Sequence, residues 1–150
     1  MSSEKFDECF VIAENKSAEK VIEKILKKMK ALKFTKDDIF AVHLGVEEAF
    51  INAVKHGNKG DRAKKVTVKY RIEPKKTVIS LTDQGRGFVP DSIPDPTVGD
   101  NIYKTSGRGL FLIRSFMDKV DFNKKGNCIS ITKFNSSAAS KPESTKKLKN

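Results

Sequence analysis

Apolar positions along this chain switch between two periods, and the switches mark out its elements. Over residues 8–13, Cys9 and Val11 alternate with Phe10 and Ile12, the period of two that predicts a strand. Val21, Ile22, Ile25, Leu26 and Met29 then recur at helical spacing, with lysines on the other face, in a helix entered near Ser17. A second helix is predicted from residue 36 to about residue 55. Thr35 and Asp38 are spaced as a capping box, and Gly57 is placed as a C-cap. Its core side is marked by Ile39, Val42, Val46, Ala49, Phe50 and Ala53. Two strands follow at 65–73 and 77–82, joined by a turn at Pro74-Lys75-Lys76. A third helix carries Leu110, Phe111, Ile113, Arg114 and Met117, and strands at 119–124 and 128–134 flank the hairpin turn Lys125-Gly126-Asn127. Helices on one face of a mostly antiparallel, mixed sheet, an α+β two-layer sandwich, are the natural packing for this order.

Two stretches lack periodicity. Residues 88–106 hold Pro90, Pro94, Pro96 and Gly99, and a loop of this length inside a compact domain is usually functional or disordered; because it joins two glycine-rich motifs, it reads as a lid that orders when a ligand binds. From Asn135 to Asn150 the composition turns to Ser, Ala and Lys, which cannot bury enough apolar surface to offset chain ordering. The expectation is one domain over 1–134 followed by a disordered basic tail over 135–150.

The chain has 150 residues, 37% of them hydrophobic, enough for one ordinary core. It shows no secretory apolar region and no run near the length of a membrane span, so a cytoplasmic location is expected. Cys9 and Cys128 read as reduced, buried small hydrophobes, and with His43 and His56 they make a poor zinc set. A net charge of +11 raises nucleic-acid binding as a competing function. No recognition helix or aromatic RNA-binding motif accompanies it, and part of the excess sits in the tail, so direct nucleic-acid contact is not expected.

Candidate chemistry falls in three places. In Leu81-Thr82-Asp83-Gln84-Gly85-Arg86-Gly87-Phe88, strand alternation puts Asp83 on the face of Ile79 and Leu81. A carboxylate pointed into apolar surroundings needs a donor, and the exocyclic amino group of adenine is one; Gly85 and Gly87 would let backbone approach a flat base. In Ser106-Gly107-Arg108-Gly109-Leu110, free amides at a helix start suit phosphate. On the second helix, Glu48 and Asn52 are one turn apart and share a face with Ala41 and Gly45, whose small size leaves room for a ligand. Asn52 can give an oxygen to Mg, and Glu48 can accept a proton from an attacking hydroxyl or water. Taken singly, each pattern also fits an ordinary turn, a flexible loop entering a core helix, or a solvated polar face.

Their order, Glu-x-x-x-Asn, Asp-x-Gly-x-Gly, then Gly-x-Gly at a helix start, resembles the GHKL, or histidine kinase-like, ATPase superfamily. The wording of residues 46–57, 82–88 and 106–120 is most similar to the bacterial anti-sigma factor serine-protein kinases of the RsbW and SpoIIAB type, over roughly residues 6–134. The resemblance implies a Bergerat-type ATP-binding sandwich with ATP and Mg as cofactors. It implies that Asp83 holds the adenine amino group, that Asn52 coordinates Mg, and that Glu48 is the general base. Gly85 and Gly87 would flank the base, and Gly107 and Gly109 would close a lid over the phosphates. Lys104, Thr105, Arg108, Leu110 and Thr132 complete the implied nucleotide contacts. One departure stands out: kinases of this type carry a basic residue two places before the first lid glycine, where this chain has Thr105. Arg108 or Lys104 would have to supply that charge.

The activity so implied is phosphorylation of a serine on a STAS-domain anti-anti-sigma partner, with a sigma factor as alternative partner and a homodimer as the working form. A second possibility is a non-catalytic ATP-binding module in which nucleotide only sets the shape of the lid. Histidine kinases would need a phosphoacceptor histidine on dimerisation helices, and topoisomerases or chaperones would need further domains, so those branches fit this chain less well.

Overall fold

In a computed structural model the described residues are 7–12, 15–61, 63–85 and 105–137. Their order is β1 (Glu8–Ile12), α1 (Asn15–Ala31), α2 (Lys36–Ile51), a π-helical turn (Asn52–Gly57), β2 (Val66–Ile72), β3 (Lys76–Thr82), α3 (Thr105–Phe116), β4 (Lys119–Phe122) and β5 (Cys128–Phe134). The strands form one sheet in the order β1-β2-β3-β5-β4. All four ladders are antiparallel, so the expected mixed sheet is, among the described residues, a wholly antiparallel one.

Period-two alternation sorts this sheet. Val68 lies opposite Leu81, Tyr70 opposite Ile79, and Ile79 and Leu81 opposite Ile131 and Ile129. These residues face the helices and are buried. Against them α1 buries Val21, Ile22, Ile25 and Met29, α2 buries Val42, Val46 and Ala49, and α3 buries Leu110 and Ile113. Each such side chain contributes about 1.5–3 kcal/mol relative to exposure. The helices therefore cover one face, as the pattern predicts, and the polar positions Thr67, Lys69, Ser80, Thr82 and Ser130 take the other.

Helix α2 begins as its sequence requires. Thr35 Oγ accepts from the Asp38 amide at 3.0 Å, and the Thr35 amide donates to Asp38 Oδ2 at 3.3 Å, closing the capping box. Its far end differs from expectation. The helix continues past Ile51 but widens, with the Asn58 amide reaching back five residues to Ala53 at 2.8 Å. Such π segments are uncommon and tend to sit at functional sites.

Three expectations need correction. Gly45 does not leave room for a ligand: a Cβ there would stand 2.9 Å from Met117 Sδ, so the missing side chain lets Met117, just past α3, pack onto α2. Cys9 is exposed rather than buried, because its position on the edge strand β1 points to the uncovered face; Cys128 is half-buried, and both thiols are free. The start of the tail is also misplaced. Asn135 is buried, donating through Nδ2 to the carbonyls of Leu32 at 3.3 Å and Pro74 at 2.9 Å, and the Ser136 amide and hydroxyl both donate to Asp38. Polar composition hid this segment because its partners are hydrogen-bond acceptors rather than apolar surface. Residues 138–150 lie outside the described residues.

Candidate functional site

Asp83 leaves the end of β3 on the core face, as alternation predicts, and is only 9% exposed. Its Oδ1 accepts from the Gly85 amide at 2.7 Å, a local turn that fixes the carboxylate's orientation. Oδ2 lies on the side of Gly57. A Cβ on Gly57 would overlap this carboxylate, and a Cβ on Gly85 would overlap the Gly57 carbonyl. Both glycines are therefore required by close approach rather than by unusual dihedrals. Burial pushes the Asp83 pKa above the ordinary carboxylate value, against the opposing pull of the Gly85 amide, Lys125 and Lys64. Among the described residues Oδ2 has no donor, and a desolvated carboxylate of this kind suits a donor such as the amino group of a flat ring.

The Asp83 backbone is held as tightly as its side chain. Its amide donates to the Asn127 carbonyl at 2.9 Å, and Asn127 Nδ2 donates to the Asp83 carbonyl at 3.2 Å. On the other side, the Gln84 amide donates to Oδ1 of Asn58 at 2.7 Å. Sequence reasoning missed all three supports. Gly57 looked like a helix cap, although it is not in the left-handed region that a cap glycine usually occupies. Asn58 and Asn127 follow turn glycines, where asparagine is common for other reasons.

The second cluster joins α2 to α3. A Cβ on Gly109 would stand 2.9 Å from Asn52 Oδ1, 3.2 Å from Asn52 Nδ2 and 3.2 Å from Glu48 Oε1. Both polar ends of the Glu48–Asn52 pair thus converge on one bare point of α3. Glu48 is half-buried, as is Asn52. Asn52 opens the π-helical turn and Gly57 closes it. One six-residue stretch therefore links the Glu48–Asn52–Gly109 cluster to the Gly57–Asp83–Gly85 cluster.

Oxygen donors of this kind suit Mg, which takes one or two protein oxygens and completes its shell with phosphate and water. No group of three or more His, Cys, Asp or Glu that could cage a metal occurs among the described residues. A site resting on the Asn52 oxygen would depend on the nucleotide for its remaining ligands.

Other expected site residues fall elsewhere. Helix α3 starts at Thr105, earlier than its glycines suggested, so Thr105, Gly107 and Arg108 contribute backbone to the first turn while Gly109 and Leu110 lie inside the helix. Gly109 is then a packing point against Asn52 rather than part of a lid. Leu110 is a core residue, 4% exposed. Thr132 is not brought to Asp83: it pairs with Val78, whereas the strand end that leads into Asp83 is opposite Cys128. With Ile129 and Ile131 facing inward, Thr132 must face outward. Gly87, Lys104 and the expected lid over 88–104 lie outside the described residues.

The family described as a histidine kinase-like ATPase domain matches residues 12–133. The chain is similar to the serine-protein kinase RsbW of Listeria innocua serovar 6a, 32% identical over 108 residues that cover 67% of this chain and 69% of the relative. It is similar to the RsbW of Bacillus licheniformis at 32% over 111 residues, covering 67% and 68%. The RsbW of Halalkalibacterium halodurans is 33% identical over 110 residues, covering 69% and 67%. Among the described residues no helix is long and apolar enough to cross a membrane.

Proposed function

Because this chain belongs to the histidine kinase-like ATPase domain family and is related to the RsbW serine-protein kinases, we propose that it is a Mg-ATP-dependent serine-protein kinase acting on a STAS-domain anti-anti-sigma protein. The observation that carries this is the convergence of Glu48 and Asn52 on Gly109, one turn into α3. Asp83 accepts a hydrogen bond from the adenine amino group, and the missing side chains of Gly57 and Gly85 let the backbone pack closely enough to hold that carboxylate in place. Asn52 gives its amide oxygen to the metal, which when bound neutralises charge on the phosphates. Glu48 would take the proton from the partner's serine hydroxyl as that oxygen bonds to the γ-phosphorus and the bond to the bridging oxygen breaks, with ADP as the leaving group. The first-turn amides of α3 face the phosphate end and stabilise its charge. The working form is a homodimer, a sigma factor is the alternative partner, and the protein acts in the cytoplasm; these follow from the resemblance to the anti-sigma kinases.

A second reading is an ATP-binding switch without transfer. It is favoured by one feature, Thr105 where kinases of this type carry a basic residue. Incubation with labelled ATP, Mg and the cognate STAS protein separates the two. Transfer is expected with the wild type and should fall by at least about a hundredfold in Glu48→Gln, the usual scale for losing a general base. Nucleotide binding without transfer to any STAS partner would leave the switch as the function.

A further inference from the structure

Asn58 is buried to 2% exposure immediately after the π-helical turn, and every polar group of its side chain is engaged across three segments. Its Oδ1 accepts from the Gln84 amide at 2.7 Å, and its Nδ2 donates to the Lys65 carbonyl at 3.1 Å. The Lys65 amide in turn donates to Gln84 Oε1 at 2.7 Å. Asn58, Lys65 and Gln84 thus form a closed ring tying the end of the helix, the entry to β2 and the residue between Asp83 and Gly85.

Gln84 occupies a leveraged position. The Gly85 amide that orients the Asp83 carboxylate lies one residue beyond it, and the Gly57 carbonyl against which Gly85 packs belongs to the residue before Asn58. Moving the Gln84 amide therefore moves the donor that sets the Asp83 rotamer. Asparagine suits this place because it offers an acceptor and a donor at once; aspartate would set a carboxylate against the Lys65 carbonyl, and leucine would orphan both backbone groups.

We propose that Asn58 is a positioning residue for nucleotide recognition, setting the aim of the Asp83 carboxylate at the amino group of the base through Gln84 and Gly85. This rests on the ATP-binding reading above. It acts on the amino-group contact and not on the phosphate end, so its loss should alter selectivity between bases more than overall binding.

The test measures the affinity of the full chain for ATP and for purine riboside triphosphate, which lacks the exocyclic amino group, in wild type, Asn58→Ala and Gln84→Ala. Wild type should prefer ATP. In Asn58→Ala the ATP affinity should fall by about tenfold, the equivalent of one well-placed hydrogen bond, while purine riboside triphosphate binding changes little, so the preference collapses. Gln84→Ala, at an exposed side chain, opens the same ring from its other side and should reduce the preference partially; it decides the matter if Asn58→Ala does not fold. Equal weakening of both nucleotides, or an undiminished preference in both variants, would overturn the positioning role alone. Failure of the wild type to bind either nucleotide would remove the ATP reading, and the positioning role with it.

Discussion

Asp83 is a residue whose burial costs stability unless a donor meets its carboxylate. Its pKa is raised, so the folded state binds its proton more tightly than the unfolded chain does. The stability linked to that proton is present below the ordinary carboxylate pKa and is lost as pH rises through the elevated folded value. Where it is ionised, the buried group therefore works against folding until a donor reaches it. Gly85 and Gly109 surround the two halves of the site and should respond differently to alanine. At Gly85 the obstacle is the Gly57 backbone carbonyl, which cannot swing away, so Gly85→Ala should cost about 3 kcal/mol in denaturant unfolding and distort the Asp83 turn. At Gly109 the obstacle is the mobile end of Asn52, and alanine inside a helix gains up to about 1 kcal/mol over glycine. Gly109→Ala should unfold no more easily than wild type yet weaken the Mg dependence of ATP binding, because the Asn52 amide must turn aside. The aim of Asp83 was legible because a strand's period of two leaves no choice of face. That of Thr132 follows from the same rule, applied from Ile129 and Ile131; the family pattern alone had pointed the other way. The contact between Gly57 and Asp83 was illegible because it joins residues on different elements and a terminal glycine looks like a cap.

At the scale of elements, the π-helical turn after Ile51 does what a regular helix would not. It starts at Asn52, ends at Gly57 against Asp83, and leaves Asn58 to accept from the Gln84 amide, so one widened turn joins both clusters. Nothing in the 3.6-residue pattern of Val46, Ala49, Phe50 and Ala53 announces the change, since widening costs one residue of register only at the helix end. The opposite end of α2 is fixed by charge. Burial pushes the Asp38 carboxyl up, but hydrogen bonds from Ser136 and Thr35 outweigh it and hold the pKa below its ordinary value of 3.8. The sign is therefore opposite to that of Asp83: this stability is present above the unfolded value and is lost as pH falls through the depressed folded value. Ser136→Ala should lower stability by about 1.5–3 kcal/mol at neutral pH, the range for a hydrogen bond to a charged group. That difference should shrink when unfolding is repeated progressively below pH 3.8. A difference independent of pH would place the contribution of Ser136 elsewhere.

For the molecule as a whole, the division into one antiparallel sheet and a single helical layer was legible from periodicity, because three amphipathic helices and five alternating strands have few ways to cover each other's apolar faces. What periodicity could not supply is how the polar residues meet. Glu48 and Asn52 are legible as neighbours on one helix, but their meeting with Gly109 depends on α2 and α3 packing through Gly45 and Met117. The outer face of the sheet, with Thr67, Lys69, Ser80 and Thr82, takes no part in either cluster. The protein's chemistry is thus gathered at one end of the sandwich, where β3 ends, α2 widens and α3 begins.

Whether this end of the sandwich holds ATP through Asp83 is decided by thermal unfolding of wild type and Asp83→Asn, each with and without saturating Mg-ATP. In wild type the midpoint should rise, since a ligand at a hundredfold excess over its dissociation constant adds about 2.7 kcal/mol to the native state. With Oδ1 held by the Gly85 amide, asparagine would place its NH2 where Oδ2 now stands, donor against donor. Asp83→Asn should therefore unfold at a higher temperature than wild type without nucleotide, being relieved of a buried charge, and should gain nothing when Mg-ATP is added. An unshifted wild type, or an Asp83→Asn protein stabilised by Mg-ATP as much as wild type, would contradict the account.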